Sequence, residues 1–187
     1  ASMRFEGSLN IDLNEITMNL VPFPRLQYLL SSLAPLTPPG ADVRLQTRSL
    51  NQMFTDALSP AHQLMPVDPK RSTFLACAFM MRGDVTISDA IRTVERVRNT
   101  LRTAHWNPDA FKLGLCDVPP AGQKYSVLTL ANNCAIRHPF RDLMTRFMKL
   151  YRARAHVHHY TKAGMDEAQM HHAAVSLDTL CNEYESL

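Results

Sequence analysis

Residues 4–25 read RFEGSLNIDLNEITMNLVPFPR, and the fold follows from how this stretch is parsed. It opens with a glycine-bearing loop, Phe5-Glu6-Gly7-Ser8-Leu9, and stops at Pro22 and Pro24. Between them lies a short helix. Asn10 or Asp12 suits its N-cap, because a short side-chain oxygen there accepts one of the orphan N–H groups of the first turn. Asp12-Leu13-Asn14-Glu15 also has the spacing of a capping box with Asp at the cap. Glu15 is then a carboxylate that closes its own helix. From spacing alone that capping role is the favoured reading, because capping signatures are common and catalytic acids rare.

Working outward, Arg25 to Leu33 is apolar enough for a buried strand, although its period is ambiguous. Ala34-Pro35-Leu36-Thr37-Pro38-Pro39-Gly40 is loop, since paired prolines remove donors and fix φ. That loop continues through Arg48, and a helix starts at Ser49 with Leu50, Met53, Phe54 and Ala57 on one face. Ser59-Pro60 ends it, and Pro66 to Arg71 is a second loop. Ser72 to Met81 is continuously apolar, as in a strand covered on both faces; Arg82-Gly83-Asp84 turns the chain. Ser88 caps a helix to about Leu101 with Ile91, Val94, Val97, Arg98 and Leu101 spaced by three or four, leaving Arg92, Arg96 and Arg102 outward.

Trp106-Asn107-Pro108 punctuates. Ala110 to Cys116 and Ser126 to Leu130, continuing to Cys134, alternate as strands around the Val118-to-Gly122 loop. Helical period returns from His138 to Ala153, with a stripe of Phe140, Leu143, Met144, Phe147, Met148 and Tyr151. A last helix runs from about Met165 to Tyr184 with Met170, Ala173, Ala174, Leu177, Leu180, Cys181 and Tyr184 inward. Asp166 and Glu167 sit in its first turn, where they complement the dipole. The order predicts an α+β fold: a mixed β-sheet packed by helices over residues 1–136, then a C-terminal helical hairpin over 137–187.

Composition sets bounds rather than a function. The 187 residues are 45% hydrophobic and 20% charged, as in an ordinary soluble globular chain. No run approaches the roughly 18 apolar residues of a membrane span, and the opening lacks a signal peptide's basic and apolar regions. Twenty basic against 17 acidic residues leave +3, too mild to imply nucleic acid. Cys77, Cys116, Cys134 and Cys181 have no paired spacing, so reduced buried thiols in a cytosolic setting are expected.

The motifs taken together resemble the tubulin superfamily. Arg4-Phe5-x-Gly7-x-Leu9-Asn10-x-Asp12-Leu13 and Asn19-Leu20-Val21-Pro22-Phe23-Pro24-Arg25 are similar to the family's sequence after its long central helix. Ala34-Pro35-Leu36-Thr37, Gln52-Met53-Phe54, Asp68-Pro69-Lys70, Arg82-Gly83, Trp106-Asn107-Pro108 with Lys112, Cys116-Asp117-Val118-Pro119-Pro120, Ala131-Asn132-Asn133, Ala155 to Tyr160 and Gly164-Met165-Asp166-Glu167 follow in the family's order. The resemblance implies the family's intermediate and C-terminal domains, with the N-terminal GTP-binding domain outside this sequence.

The resemblance also implies roles. Ser8, Leu9, Asn10 and Asp12 would approach the GTP and Mg²⁺ of a longitudinal partner. Glu15 would be the acid that alpha-type members use in trans to activate the hydrolytic water, where beta-type members carry lysine. The piece alone is then not an enzyme and binds no cofactor, while the full-length protein would bind GTP and Mg²⁺. Thr37, Pro38, Pro39, Gly40 and Arg44 fall in the lateral-contact loop, which is short here, lacks its docking aromatic, and argues against ordinary lateral assembly. The basic balance, that loop and His158-His159-Tyr160 in place of His-Trp-Tyr resemble the divergent epsilon type, associated with centrioles and basal bodies. Expected partners are other tubulins and centriolar or associated proteins, in the cytoplasm and at the cytoskeleton, centrosome and basal body. Neither nucleic acid nor membrane is expected, and the piece alone would be monomeric or weakly associating.

Two clusters compete for attention. His156, His158, His159, His171 and His172 suit metal ligation by type, yet adjacent helical side chains diverge by about 100°, and no metal is expected. Arg141, Arg146, Lys149, Arg152 and Arg154 could bind RNA or an acidic protein. Without interleaved aromatics a solvated face is the default, and the resemblance makes this ridge, with Arg146 and Arg152, a protein-partner surface. The alternatives to a lattice subunit are a tubulin-fold partner-binding module outside any lattice, or a basic module for nucleic acid or acidic protein.

Overall fold

The computed structural model describes residues 4, 5, 7–36 and 48–187. The lateral-loop assignment of Thr37, Pro38, Pro39, Gly40 and Arg44 lies outside the described residues. The chain divides into two compact units, residues 1–135 and 136–187. In the first, α1 (Leu13–Leu20), β1 (Leu30–Ala34), α2 (Leu50–Ala57), β2 (Phe74–Gly83), α3 (Ile87–Arg98), β3 (Phe111–Cys116) and β4 (Tyr125–Asn133) follow in order. The strands form one sheet in the order β1-β4-β2-β3. β4 runs antiparallel to both β1 and β2, and β3 lies parallel to β2. A parallel pair needs a crossover, which α3 supplies.

β2 is the spine, and its alternation assigns the two faces. Cys77, Phe79 and Met81 join Met53, Phe54 and Ala57 of α2 and Ala90, Val94 and Val97 of α3 in the larger core. Ala76 and Ala78 point the other way, against Leu20 of α1, with Ile16, Leu29, Met80 and Leu130 around them. Two alanines on that face let α1 lie close to the strand. The result is three layers: helix, sheet, helix pair. Phe79 lies between Phe54, tilted by 47° at 4.9 Å, and Phe111, stacked at 6.1 Å. The Cys77 thiol is fully buried and pushed far up by desolvation, so it stays neutral and packs as a small apolar side chain.

Differences from the sequence reading have local causes. The strand expected from Arg25 begins only at Leu30, where pairing with Ala131 starts. The segment before it turns instead, with the Leu26 N–H on the Phe23 carbonyl at 3.0 Å. β2 runs on through Arg82 and Gly83, because β4 reaches far enough to pair with both. Thr86, not Ser88, caps α3; its side chain accepts the Asp89 N–H. Ile91 lies outward at 45% exposure, and the smaller Ala90 and Thr93 take the inner face beside Val94 and Val97.

In the second unit, α4 (Arg137–Arg152), a short α5 (Val157–Lys162) and α6 (Glu167–Glu185) replace the simple hairpin. The linker before α5 holds Arg154 and His156 at φ of 50° and 63°, a left-handed conformation that costs non-glycine residues roughly 1 kcal/mol each. The Ala155 N–H on the Leu150 carbonyl at 3.0 Å fixes it. Within the two predicted stripes Leu143 and Ala173 are exposed, whereas Met170, Leu180, Cys181 and Tyr184 are buried. Arg141 pairs with Glu185 and sets the start of α4 beside the end of α6.

Candidate functional site

The opening stretch is built as a rigid edge. Leu9 forms a two-bond antiparallel bridge with Leu115 at the end of β3, 2.9 and 3.4 Å. Gly7 permits that approach, because a Cβ on it would lie 2.1 Å from the Leu115 carbonyl oxygen. The Ser8 hydroxyl donates to the Asp117 carboxylate at 2.8 Å. Arg82 closes the same corner: its Nε–H donates to the Val118 carbonyl at 3.2 Å, and its guanidinium sits 5.2 Å from the Phe5 ring centroid. Behind the bridge is a cleft of about 470 Å³ lined by Leu9, Ile11, Met80, Met81, Leu115 and Cys116 among others.

Beyond Leu9 the chain turns outward. Asn10, Asp12 and Glu15 are all exposed. Asp12 is the N-cap: its carboxylate accepts the Glu15 N–H at 2.7 Å, and the Glu15 carboxylate accepts the Asp12 N–H at 3.1 Å. The capping box foreseen from the spacing is thus formed in both directions. Both acids keep an oxygen that no box bond uses. Leu13 and Met18 on the same helix are 62% and 81% exposed.

The far end of α1 is clamped from β4. Asn132 is fully buried, and its Nδ2 donates to the carbonyls of Leu20 at 2.9 Å and Leu26 at 2.6 Å. Asn133 does the same for Pro69 at 3.0 Å, and Asn107 for Leu75 at 2.9 Å. Trp106 meets Phe23 edge to face at 5.5 Å. Several motif residues therefore hold backbone carbonyls inside the first unit.

Of the predicted site residues, the structure brings Ser8, Leu9, Asn10, Asp12 and Glu15 into one edge. It commits Ser8 and the Leu9 backbone to internal bonds and leaves Asn10, Asp12 and Glu15 facing outward. Arg82, Asp117 and Asn132 were missed as supports of that edge. Arg82 closing an apolar strand was a usable signal for the first of them.

The second unit carries the ridge. Arg141 is engaged by Glu185 and Arg154 by Glu167 at 3.8 Å. The hydrogen bond and then the charge of Arg141 draw the Glu185 carboxyl below its ordinary range. Its contribution is present above the unfolded carboxylate pKa and is lost as the pH falls through the lowered one. Arg146, Lys149 and Arg152 are exposed and make no ion pair among the described residues. His158 and His159 have ring centroids 4.0 Å apart. Among the described residues no three His, Cys, Asp or Glu side chains are grouped to hold a metal, and no helix is long and apolar enough to cross a membrane.

Against this geometry, a family sequence model described as the tubulin C-terminal domain matches residues 24–145. The chain belongs to the tubulin family. Among tubulins, the epsilon chain of Homo sapiens is 52% identical over 188 residues, an alignment covering all of this chain and 39% of the human one. The epsilon chain of Mus musculus is 50% identical, with the same shares covered. The tubulin alpha-B chain of Neurospora crassa is 34% identical over 197 residues, covering all of this chain and 44% of its own. The chain thus spans about two fifths of the length of the curated tubulins it matches. The α+β tubulin fold and the likeness to the epsilon type, both expected from the ordered motifs, agree with these findings.

Proposed function

We propose that this chain is part of a divergent, epsilon-type tubulin that serves as a structural subunit in centriole and basal-body microtubule assembly. In this reading the edge from Ser8 to Glu15 is its longitudinal contact. The observation that carries it is the outward set of Asn10, Asp12 and Glu15, held by the Leu9–Leu115 bridge and the capping box beside the exposed Leu13 and Met18. A rigid loop end offering an amide and two carboxylates suits a partner's hydrated Mg²⁺ and phosphates. Glu15 then orients the attacking water and takes its proton, a general base supplied in trans. GTP binding by the full-length protein and its place at the centrosome belong to the same proposal.

The contact is tested by Leu13→Glu with Met18→Glu in the full-length protein. Both side chains are already solvent-exposed, so thermal melting is expected to stay unchanged. Pairing with a partner tubulin should weaken at least about tenfold in a binding titration, and the tagged protein should lose its centriolar position. Unaltered pairing would reject the longitudinal reading.

The ridge of Arg146 and Arg152 is proposed to take a protein partner of acidic character, since these cations have no internal counter-charge among the described residues. Arg146→Glu with Arg152→Glu should abolish co-purification of ridge partners with the full-length protein. A pull-down indifferent to both changes would make the face merely solvated.

A further inference from the structure

Two ties of different kinds hold the opening loop to the end of β3. One is the backbone exchange of Leu9 with Leu115, at 2.9 and 3.4 Å. The other joins side chains: the Ser8 hydroxyl donates to the Asp117 carboxylate at 2.8 Å. Asp117 stands just past β3, outside the ladder that ends at Cys116. It is exposed and has no ion pair among the described residues. Its carboxylate is committed to Ser8.

A single bridged residue is a hinge. The Leu9 pair fixes one point of the chain, and the loop can still swing about its two bonds. Ser8 lies one position behind that pivot, and Asn10 and Asp12 lie one and three positions ahead of it. The Ser8–Asp117 bond therefore holds the short arm of a lever whose long arm carries the outward groups. Gly7, passing under the Leu115 carbonyl, blocks motion toward the sheet; the bond to Asp117 blocks motion away from it. Three extended residues reach about 10 Å, so a swing of about 10° moves Asp12 by about 1.7 Å. Asp12 takes Glu15 with it through the capping box. The far end of α1 stays with the Asn132 clamp, so the first turn is the part the latch governs. Reacting groups must be held to about 0.5 Å, and a misplacement of about 1 Å costs about 100-fold in the worst cases.

We propose that the Ser8–Asp117 bond is a latch that aims Asn10, Asp12 and Glu15, making Asp117 a positioning residue for nucleotide turnover in the neighbouring subunit, a role that rests on the longitudinal reading above. Within that edge Ser8 works inward, on the sheet. The bond needs an oxygen acceptor at 117 and not a charge, so an asparagine carbonyl serves in its place. A direct action of Asp117 on the partner's Mg²⁺ or phosphates would need the charge. A surface bond of this kind shifts a local equilibrium by about fivefold, far less than the loss of Glu15 itself.

The test titrates full-length protein into GTP-loaded partner and follows phosphate release for Ser8→Ala, Asp117→Ala, their double variant and Asp117→Asn. Ser8 and Asp117 are both exposed, so folding is not at stake. The saturating rate should fall about fivefold in either alanine variant and no further in the double one, with the half-saturating concentration unchanged. Asp117→Asn should stay within about twofold of wild type. Amide exchange gives a readout apart from turnover. The Leu115 N–H, bonded to the Leu9 carbonyl, should exchange about fivefold faster in the alanine variants and at the wild-type rate in Asp117→Asn. Unchanged Leu115 exchange in the alanine variants rejects the latch. Faster exchange with a full saturating rate, in a pair that Glu15→Gln does disable, rejects the positioning role, as does a change in half-saturation alone. An asparagine variant as slow as the alanine one assigns the effect to charge and rejects it too. Full turnover in Glu15→Gln is the separate failure of the longitudinal reading, whatever the exchange rates, and removes the positioning role with it.

Discussion

Glu15→Gln is expected to lower GTP turnover by a reconstituted longitudinal pair about 100-fold, the lower range for loss of a general base, with the melting temperature unchanged. The separation rests on the capping box. Glu15 accepts the Asp12 N–H through its carboxylate, and a glutamine carbonyl does the same at that position. The amide keeps the helix start and gives up only the basicity. Glu15→Ala loses both, so turnover should fall equally while stability drops by about 0.5–1 kcal/mol. Steady-state phosphate release and a thermal melt on the two variants suffice. Full turnover in Glu15→Gln would leave the carboxylate no role beyond closing its own helix.

Asn132→Ala is expected to be the costliest change on stability, by about 3 kcal/mol. Its Nδ2 serves two buried carbonyls, Leu20 and Leu26; two bonds of about 1 kcal/mol each are lost, and orphaned buried acceptors add to that. For a chain of this size the melting temperature should fall by about 6–12 °C. The same variant should weaken partner pairing, because the clamp sets where α1 leaves the sheet. Asn132→Asp tests the chemistry: a carboxylate cannot donate to a carbonyl, so it should be no better than alanine. A melt shifted by less than about 2 °C would reject the clamp.

These two residues also mark what can be read from a sequence. The box of Asp12 and Glu15 was legible because both partners lie within one helical turn. β2 was legible because Phe74 to Met81, covered from both faces, form an unbroken apolar run. The inner face of α3 was not, since Ala90 and Thr93 are small and the eye follows Ile91. α5 was hidden too: its left-handed entry falls on Arg154 and His156 rather than on glycine. The supports of the opening edge were the least visible, because Asp117 stands 109 residues from Ser8 and Asn132 stands 112 from Leu20. Such pairs leave no periodic trace. The ordered motifs carried their family through, although inside this chain Asn107, Asn132 and Asn133 are spent on backbone carbonyls.

The Leu9–Leu115 bridge has a consequence for how the protein is made. The partners that tie the opening edge to the sheet, Leu115 for Leu9, Asp117 for Ser8 and Asn132 for Leu20, are synthesised more than 100 positions later. At 5–20 residues per second the ribosome needs roughly 5–20 s to supply them. Through that interval α1, eight residues long and too short to be stable by itself, lacks the strands it packs on. On the longitudinal role proposed above, a product truncated before β3 and β4 would have no anchored edge to present, and geometry alone would keep it out of assembly.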